Sequence, residues 1–308
     1  MKQIGIIINP FAKSIRKSRR DMPALFRSLG GEYADVRLSD SLEQVDEILS
    51  DFKKNNMRYI GTSGGDGTIH HVVSRMINIY KPNPAPPLLI LKGGTMDNIA
   101  RTIDLKSKGP AILKRLVAAL EQGKPVQTFK RDTMKIGERY CFLFGAGLTT
   151  NFLNAVYEGE KGTIKNLKVI FRALSEGLRD KRDSALFKRL NAKVLIDGKP
   201  LPFEEILAIL SGTVEKVGMG FTPLPRGNER EGTFHIIISG EKPIEGVKQF
   251  FRIKKGIPMK GAFNFNGLVS TLSIESREPF QYTMDGDLFD CSSKLLVEMG
   301  PQIELVYV

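Results

Sequence analysis

Hydrophobic residues recur along this chain in two different rhythms. Up to about residue 126, short unbroken apolar runs alternate with segments of helical spacing. QIGIIINP at 3–10, MRYIGTS at 57–63 and PPLLILKGG at 86–94 read as strands buried on both faces. Between them, Leu42, Val45, Ile48, Leu49 and Phe52 share one helical face, opened by Ser41 with Gln44 three positions on. Ile69, Val72, Val73, Met76 and Ile77 share another. DMPALFRSLG at 21–30 is a helix ended by Gly30–Gly31, and PAILKRLVAALEQG at 110–123 is one opened by Pro110 and closed by Gly123. Strands alternating with helices predict a doubly wound α/β domain on a parallel sheet.

Beyond that point the rhythm shortens to strands separated by Gly, Asp and Pro turns: 192–212, with a hairpin-type DGK at 197–199, then 232–240, 269–290 and 294–308. This pattern predicts an antiparallel β domain. The expected division is 1–127 for the α/β domain and 128–292 for the β domain, with the last strands, 293–308, free to return to the first. A helical, very basic insert at 160–190 interrupts the β pattern.

The chain has 308 residues and a formal charge of +12, so an anionic partner is expected: nucleic acid, a phosphorylated metabolite or an acidic membrane. No recognisable nucleic-acid-binding module is present, which sets that partner aside. No apolar run reaches the length of a membrane span, and the N-terminus is too short in apolar residues for a secretory signal. Cys141 and Cys291 are read as buried free thiols in a reducing cytoplasm, and His70, His71 and His235 show no metal-ligand spacing.

Candidate chemistry begins at IGTSGGDGTIHH, 60–71. The context is strand, glycine turn, helix. Gly64 and Gly65 let backbone amides approach a ligand, while Gly67 and Thr68 open a helix whose N-terminus favours phosphate. Asp66 does not suit bare phosphate; it suits a ribose hydroxyl or a Mg²⁺ carrying the phosphates. Neither G-x-x-x-x-G-K-[ST] nor G-x-G-x-x-G is present. A second turn of the same kind, Gly93–Gly94–Thr95 with Asp97 in the following helical turn, ends the 86–94 run. The plain alternatives are a tight turn for the first and a helix cap for the second.

These residues resemble the diacylglycerol kinase catalytic family, which includes sphingosine, ceramide and bacterial lipid kinases. GGDGT at 64–68 matches its hallmark, INP at 8–10 its first phosphate-side turn, GGTMDNIAR at 93–101 its second motif, and MDGD at 284–287 its late carboxylate motif. The likeness runs in order over nearly the whole chain. Lys92 replaces a proline, Asp97–Asn98 inverts the usual order, Lys13 is displaced by one position, and Asp287 stands where glutamate is commoner.

The resemblance implies an ATP-dependent lipid kinase with a nucleotide domain, a β-sandwich lipid domain and an active site between them. ATP and Mg²⁺ are the implied co-substrate and metal. Asn9, Ser39, Gly64, Gly65, Asp66, Gly67, Thr68, Gly94 and Thr95 would meet the nucleotide. Asp285 and Asp287 would supply the general base, without deciding which, and Asp66 would hold the catalytic Mg²⁺. Asp132 at the domain junction is a weaker candidate. EGTF at 231–234 replaces a turn that can hold a structural Mg²⁺; Asn228, Glu231 and Thr233 match those positions.

Lys161, Lys165, Lys168 and Arg172 in the insert, interleaved with apolar residues, suit an anionic leaflet. The expected place is cytoplasmic, on the inner face of the membrane, in phospholipid metabolism; a homodimer is compatible with it. The competing readings are an NAD kinase-like enzyme, which shares the GGDGT turn, and a non-catalytic lipid- or nucleotide-binding module of the same fold.

Overall fold

The computed structural model describes residues 2–12, 15–16, 21–91, 107–157, 163–181, 183–217 and 220–308. The side chains of Asp66 and of 163–167 are outside this description, although their backbone lies in helices. The chain divides into two compact units, 1–133 with 138–140 and 301–308, and 134–137 with 141–300.

The first unit follows the predicted alternation. In order come β1 (Ile4–Ile8), α1 (Met22–Gly30), β2 (Ala34–Leu38), α2 (Leu42–Lys54), β3 (Tyr59–Ser63), α3 (Asp66–Tyr80), β4 (Leu88–Ile90), α4 (Gly109–Glu121) and β5 (Gln127–Arg131). The sheet order is β2-β1-β3-β4, then the C-terminal strand Ile303–Tyr307, then β5. All neighbours are parallel except the last pair. Every residue of β1, β3 and β4 is buried, because helices cover both faces: α1 packs with α4, and α2 with α3. The helix ends follow the sequence signals. Ser41 Oγ accepts from Gln44 N–H at 3.2 Å, and Gln44 Oε1 accepts from Asp40 N–H at 3.1 Å.

The second unit holds β6 (Met134–Ile136), the last residue of β7 (Arg139–Cys141), β8 (Leu143–Gly147), α5 (Leu148–Tyr157), α6 (Thr163–Leu178), β9 (Leu190–Ile196), β10 (Lys199–Pro200), β11 (Glu205–Ile206), β12 (Ala208–Gly212), β13 (Phe234–Ser239), α7 (Pro243–Lys248), α8 (Phe250–Lys254), β14 (Asn264–Val269), β15 (Thr271–Ser276), β16 (Phe280–Met284), β17 (Asp287–Cys291) and β18 (Lys294–Met299). One antiparallel sheet runs β10-β9-β15-β18-β6-β7, with β11 on β9, and the other runs β14-β13-β12-β8-β16-β17. A single core joins their inner faces, with Val194, Ile274 and Val297 from one and Phe144, Ile209 and Ile236 from the other. Of the segment 293–308, Ile303–Tyr307 pairs in the first sheet, whereas Lys294–Met299 pairs with β15 and β6.

Three helices are absent from the pattern read off the sequence: α5, α7 and α8. In α5 the signal was present, since Leu148, Phe152, Ala155 and Val156 have helical spacing and pack on Val169, Leu186, Phe187 and Leu207. Helix α6 lies in the basic insert as expected. Cys141 is buried, but Cys291 is half-buried on the outer strand β17, so only one of the two thiols lies in the core.

Candidate functional site: a glycine turn and a carboxylate hairpin

In the first unit the chain leaves β1 toward β2 on one side and returns to β3 on the other. That reversal opens a crevice at the carboxyl ends of β1 and β3, where ligands bind in open α/β sheets. Asn9 and Gly64 follow those two strand ends directly. They are held in register, because Asn9 N–H donates to the Ser63 carbonyl at 3.0 Å. Ser39 follows β2 and donates its N–H to the Ile8 carbonyl, also at 3.0 Å. The predicted residues Asn9, Ser39, Gly64, Gly65, Gly67 and Thr68 are therefore gathered at one edge of one sheet.

Their hydrogen bonds divide the labour. Asn9 Oδ1 accepts from Phe11 N–H at 2.9 Å and shapes the first turn, while Asn9 Nδ2 donates to Thr68 Oγ1 at 3.1 Å. One side chain thus ties the first turn to the glycine turn. Ser39 is buried and its hydroxyl donates to the Ser41 carbonyl at 2.8 Å, so it braces the start of α2.

The two glycines do different things. A Cβ on Gly64 would lie 2.4 Å from Thr68 Cβ, so its absence lets the turn close on the helix. A Cβ on Gly65 would meet nothing within 4 Å, and its φ of −86° carries no strain. Gly65 is the N-cap of α3 and gives no side-chain cap. Among the described residues no N-cap side chain meets the first amides of this 15-residue helix, at the end where the dipole favours negative charge. Such an end suits phosphate oxygens. Gly94, Thr95, and Asp97 beside them, lie outside the described residues, as does Lys13.

Farther along α3, His71 is held neutral. Burial, aided by His70, Arg75 and Arg139, lowers its pKa from 6.5 to about 4. Asp132 is buried one residue beyond β5.

In the second unit, MDGD forms the tip of the β16–β17 hairpin. Met284 pairs with Asp287, and Asp285 (φ 51°) and Gly286 (φ 98°) make the two-residue turn. The hairpin and the carboxylate readings of this motif therefore coexist. Asp285 is buried. Its Oδ1 accepts from Phe142 N–H at 3.0 Å and Leu143 N–H at 2.8 Å, and its own N–H donates to the Leu143 carbonyl at 2.9 Å. The carboxylate is thus spent on orienting the start of β8, a role invisible in the sequence. The burial of Cys141 itself, and after it the charge of Asp285, push the Cys141 thiol well above its ordinary pKa. Asp287 is half-buried at the first position of β17. Tyr157 at the end of α5 donates to the Gly286 carbonyl at 2.7 Å and fixes the turn from the other side.

A cavity of about 520 Å³ in the same unit is lined by Asn151, Asn154, Arg172, Lys188, Gln281 and Asp290, among others. Gln281 pairs with Asp290 three positions up the hairpin from the Met284–Asp287 pair, about 10 Å from the turn at strand rise, so this cavity is not where Asp287 would act.

Of the residues expected at a structural Mg²⁺, two lie at the surface and one is buried. Asn228 and Glu231 are exposed, and the Thr233 hydroxyl donates to the Arg230 carbonyl at 2.7 Å. Among the described residues no three His, Cys, Asp or Glu side chains could share a metal.

On the insert, Lys168 is exposed and Arg172 pairs with Glu176 at 2.8 Å one helical turn on. Lys161 and the side chain of Lys165 lie outside the described residues. Val169 of α6 is buried, whereas Phe171 and Leu178 are exposed. No helix among the described residues is long and apolar enough to cross a membrane.

Residues 3–130 match the diacylglycerol kinase catalytic domain. No curated protein matches the chain. Among solved structures, a diacylglycerol kinase from Bacillus anthracis str. Sterne is similar over 100% of this chain and 97% of its own, at 15% identity and a TM-score of 0.68. A second, provisionally described as a diacylglycerol kinase from the same organism, is similar over 100% and 96% at 17% identity and a TM-score of 0.70. At such identity these two speak for the fold alone; the domain match speaks for the chemistry of the first unit. Over residues 3–130, then, the chain is similar to the diacylglycerol kinase catalytic domain, the catalytic module of lipid kinases.

Proposed function

We propose that this kinase transfers the γ-phosphate of ATP to a hydroxyl of a membrane lipid of the diacylglycerol or sphingoid type. The observation that carries the proposal is the cradle at the sheet's reversal point, where Asn9, Gly64 and Gly65 meet the uncapped start of α3. Phosphate oxygens are acceptors, and this end of the unit presents donors. The amides of Gly65, Gly67 and Thr68 bind the phosphates, Asn9 holds Thr68 in place, and Ser39 braces the neighbouring turn. Gly94 and Thr95, matched by motif, would add further nucleotide contacts. Asp66 would hold the Mg²⁺ that accompanies ATP, and that ion would supply charge neutralisation on the phosphate oxygens.

Asp287 is assigned as the general base. Asp285 already accepts from two backbone amides, which suits a positioning residue better than a proton acceptor. Asp287 takes the proton of the lipid hydroxyl as its oxygen bonds to the γ-phosphorus. The bond from that phosphorus to the bridging oxygen breaks, and ADP leaves with the electron pair. Helix α6, with Lys168 and Arg172, docks the enzyme on an anionic leaflet, at about 1 kcal/mol per cation near the surface.

The test is incubation of the purified chain with labelled ATP, Mg²⁺ and mixed micelles of diacylglycerol, monoacylglycerol, ceramide or sphingosine, with NAD in parallel. Label on a lipid is the expected result. Label on NAD alone, or nucleotide binding without transfer to any acceptor, overturns the proposal.

A further inference from the structure

Helices α7 and α8 and the loop to β14 form a strongly cationic segment that the lipid-kinase proposal leaves unused. Residues 241–263 contain Lys242, Lys248, Arg252, Lys254, Lys255 and Lys260 against two acids: Glu245, which pairs with Lys248 at 2.8 Å, and Glu241, whose Oε1 accepts from Phe263 N–H at 3.0 Å. Within this basic field three large apolar side chains point outward: Phe251 is 71% exposed, Phe263 50% and Ile257 42%. Burying such residues is the ordinary outcome of folding, so a cluster of them in a folded segment marks an interface.

The segment is built to hold them there. Phe251 stands on Phe250, which stands on Phe221, in edge-to-face steps of 5.5 and 5.4 Å. Lys254 Nζ lies 5.5 Å from the Phe221 ring, so its charge stays beside the aromatic cluster. The loop is stapled to α8 from both sides. Arg252 Nη2 donates to the Pro258 carbonyl at 2.8 Å and Ile257 N–H to the Arg252 carbonyl at 2.9 Å. Gln249 Nε2 donates to the Lys260 carbonyl at 2.8 Å, and Gln249 Oε1 accepts from Lys260 N–H. Phe263 rests edge-on against Phe203 at 6.0 Å. The exposed apolar groups are therefore carried by an ordered scaffold.

We infer that α8 and the 255–263 loop are a membrane-insertion surface, with Phe251, Ile257 and Phe263 entering the acyl boundary of an anionic leaflet and Lys255 and Lys260 at its headgroups. A bilayer fits better than other anionic partners. It offers a continuous negative surface over an apolar layer, which matches cations surrounding protruding apolar groups. A nucleic acid would match the cations and the rings, but not Ile257. Helix α6 packs on α7, where Gly177 closes against Val247 and Pro243, so the surface extends the docking helix of the same unit. The inference extends the lipid-kinase proposal by naming where the protein enters the bilayer, and it is tested without any phosphoryl transfer.

The chain contains no tryptophan, so Phe251→Trp places one reporter at the tip. Its emission should shift to the blue with phosphatidylcholine vesicles containing phosphatidylglycerol and stay unchanged with phosphatidylcholine alone. In co-sedimentation at low salt, the Lys255→Gln/Lys260→Gln double variant should bind the anionic vesicles about 30-fold more weakly, from about 1 kcal/mol per cation. Phe251→Ser/Phe263→Ser should lose binding to a similar degree. A Lys124→Gln/Lys130→Gln control in the first unit, with the same net charge, should bind like the parent chain. Melting temperatures of all variants should match the parent, because the changed side chains are exposed. Absence of parent binding to anionic vesicles, no blue shift on binding, equal binding by the altered surface variants, or the same loss in the control overturns the inference. So does retention on single-stranded RNA instead of vesicles. Lost vesicle binding with intact transfer to micellar lipid, or intact vesicle binding with no transfer at all, separates a failure of this inference from a failure of the kinase proposal.

Discussion

The glycine turn of the first unit and the MDGD hairpin of the second make a chemical contrast. At the glycine turn, among the described residues, α3 has no side-chain cap, and Gly65 has open space where a side chain would be. At the hairpin a carboxylate is already answered, because Asp285 takes the amides of Phe142 and Leu143. The second region is held by its own backbone, with Asp285 as part of the frame. In the proposed mechanism, function at the hairpin therefore falls to the neighbour, Asp287.

The largest effects should break the hairpin half of this contrast. Asp287→Asn should lower kcat by about 100-fold or more, the scale of a lost general base, with Tm unchanged. Asp285→Ala should instead destabilise the fold by about 2–4 kcal/mol, because it strands two backbone amides that are wholly or partly buried. If thermal melts show Asp285→Ala to be as stable as the parent, the positioning role is wrong.

Gly64→Ala comes next. Its Cβ would press into Thr68 at 2.4 Å, and an overpacked turn costs about 1–3 kcal/mol. Urea unfolding would measure it; no loss would mean that the turn relaxes without cost.

The smallest effect concerns pH. His71 binds a proton near 6.5 when unfolded but only near 4 in the fold. Its contribution to stability is complete above pH 6.5 and is lost as pH falls from 6.5 toward 4. His71→Asn should flatten that part of the Tm–pH curve relative to the parent; parallel curves would contradict the burial of a neutral ring.

The α/β half was legible in the sequence because each signal was local. Ser41 and Gln44 cap α2 from within one turn, and the unbroken IGIII run can only be a strand covered on both faces. What escaped was long-range. The donors that fix Asp285's role lie 142 and 143 positions away, at Leu143 and Phe142, and the Asn9–Thr68 bond spans 59. No local pattern encodes either. Helices α7 and α8 were missed for a different reason. They are six and five residues long, too short for a helical period to stand out between strands.

The sequence also placed both glycines of the turn at the ligand without distinguishing them. Only the packing around each shows that Gly64 faces the protein and Gly65 faces open space. That difference gives the most direct test of the phosphate cradle: calorimetric titration of ATP with Mg²⁺ into the parent chain and Gly65→Ala. The account predicts an unchanged Tm with ATP bound about tenfold more weakly or worse, because the added methyl meets the nucleotide and nothing else. Equal affinity in the two proteins, or no ATP binding by the parent, would contradict it.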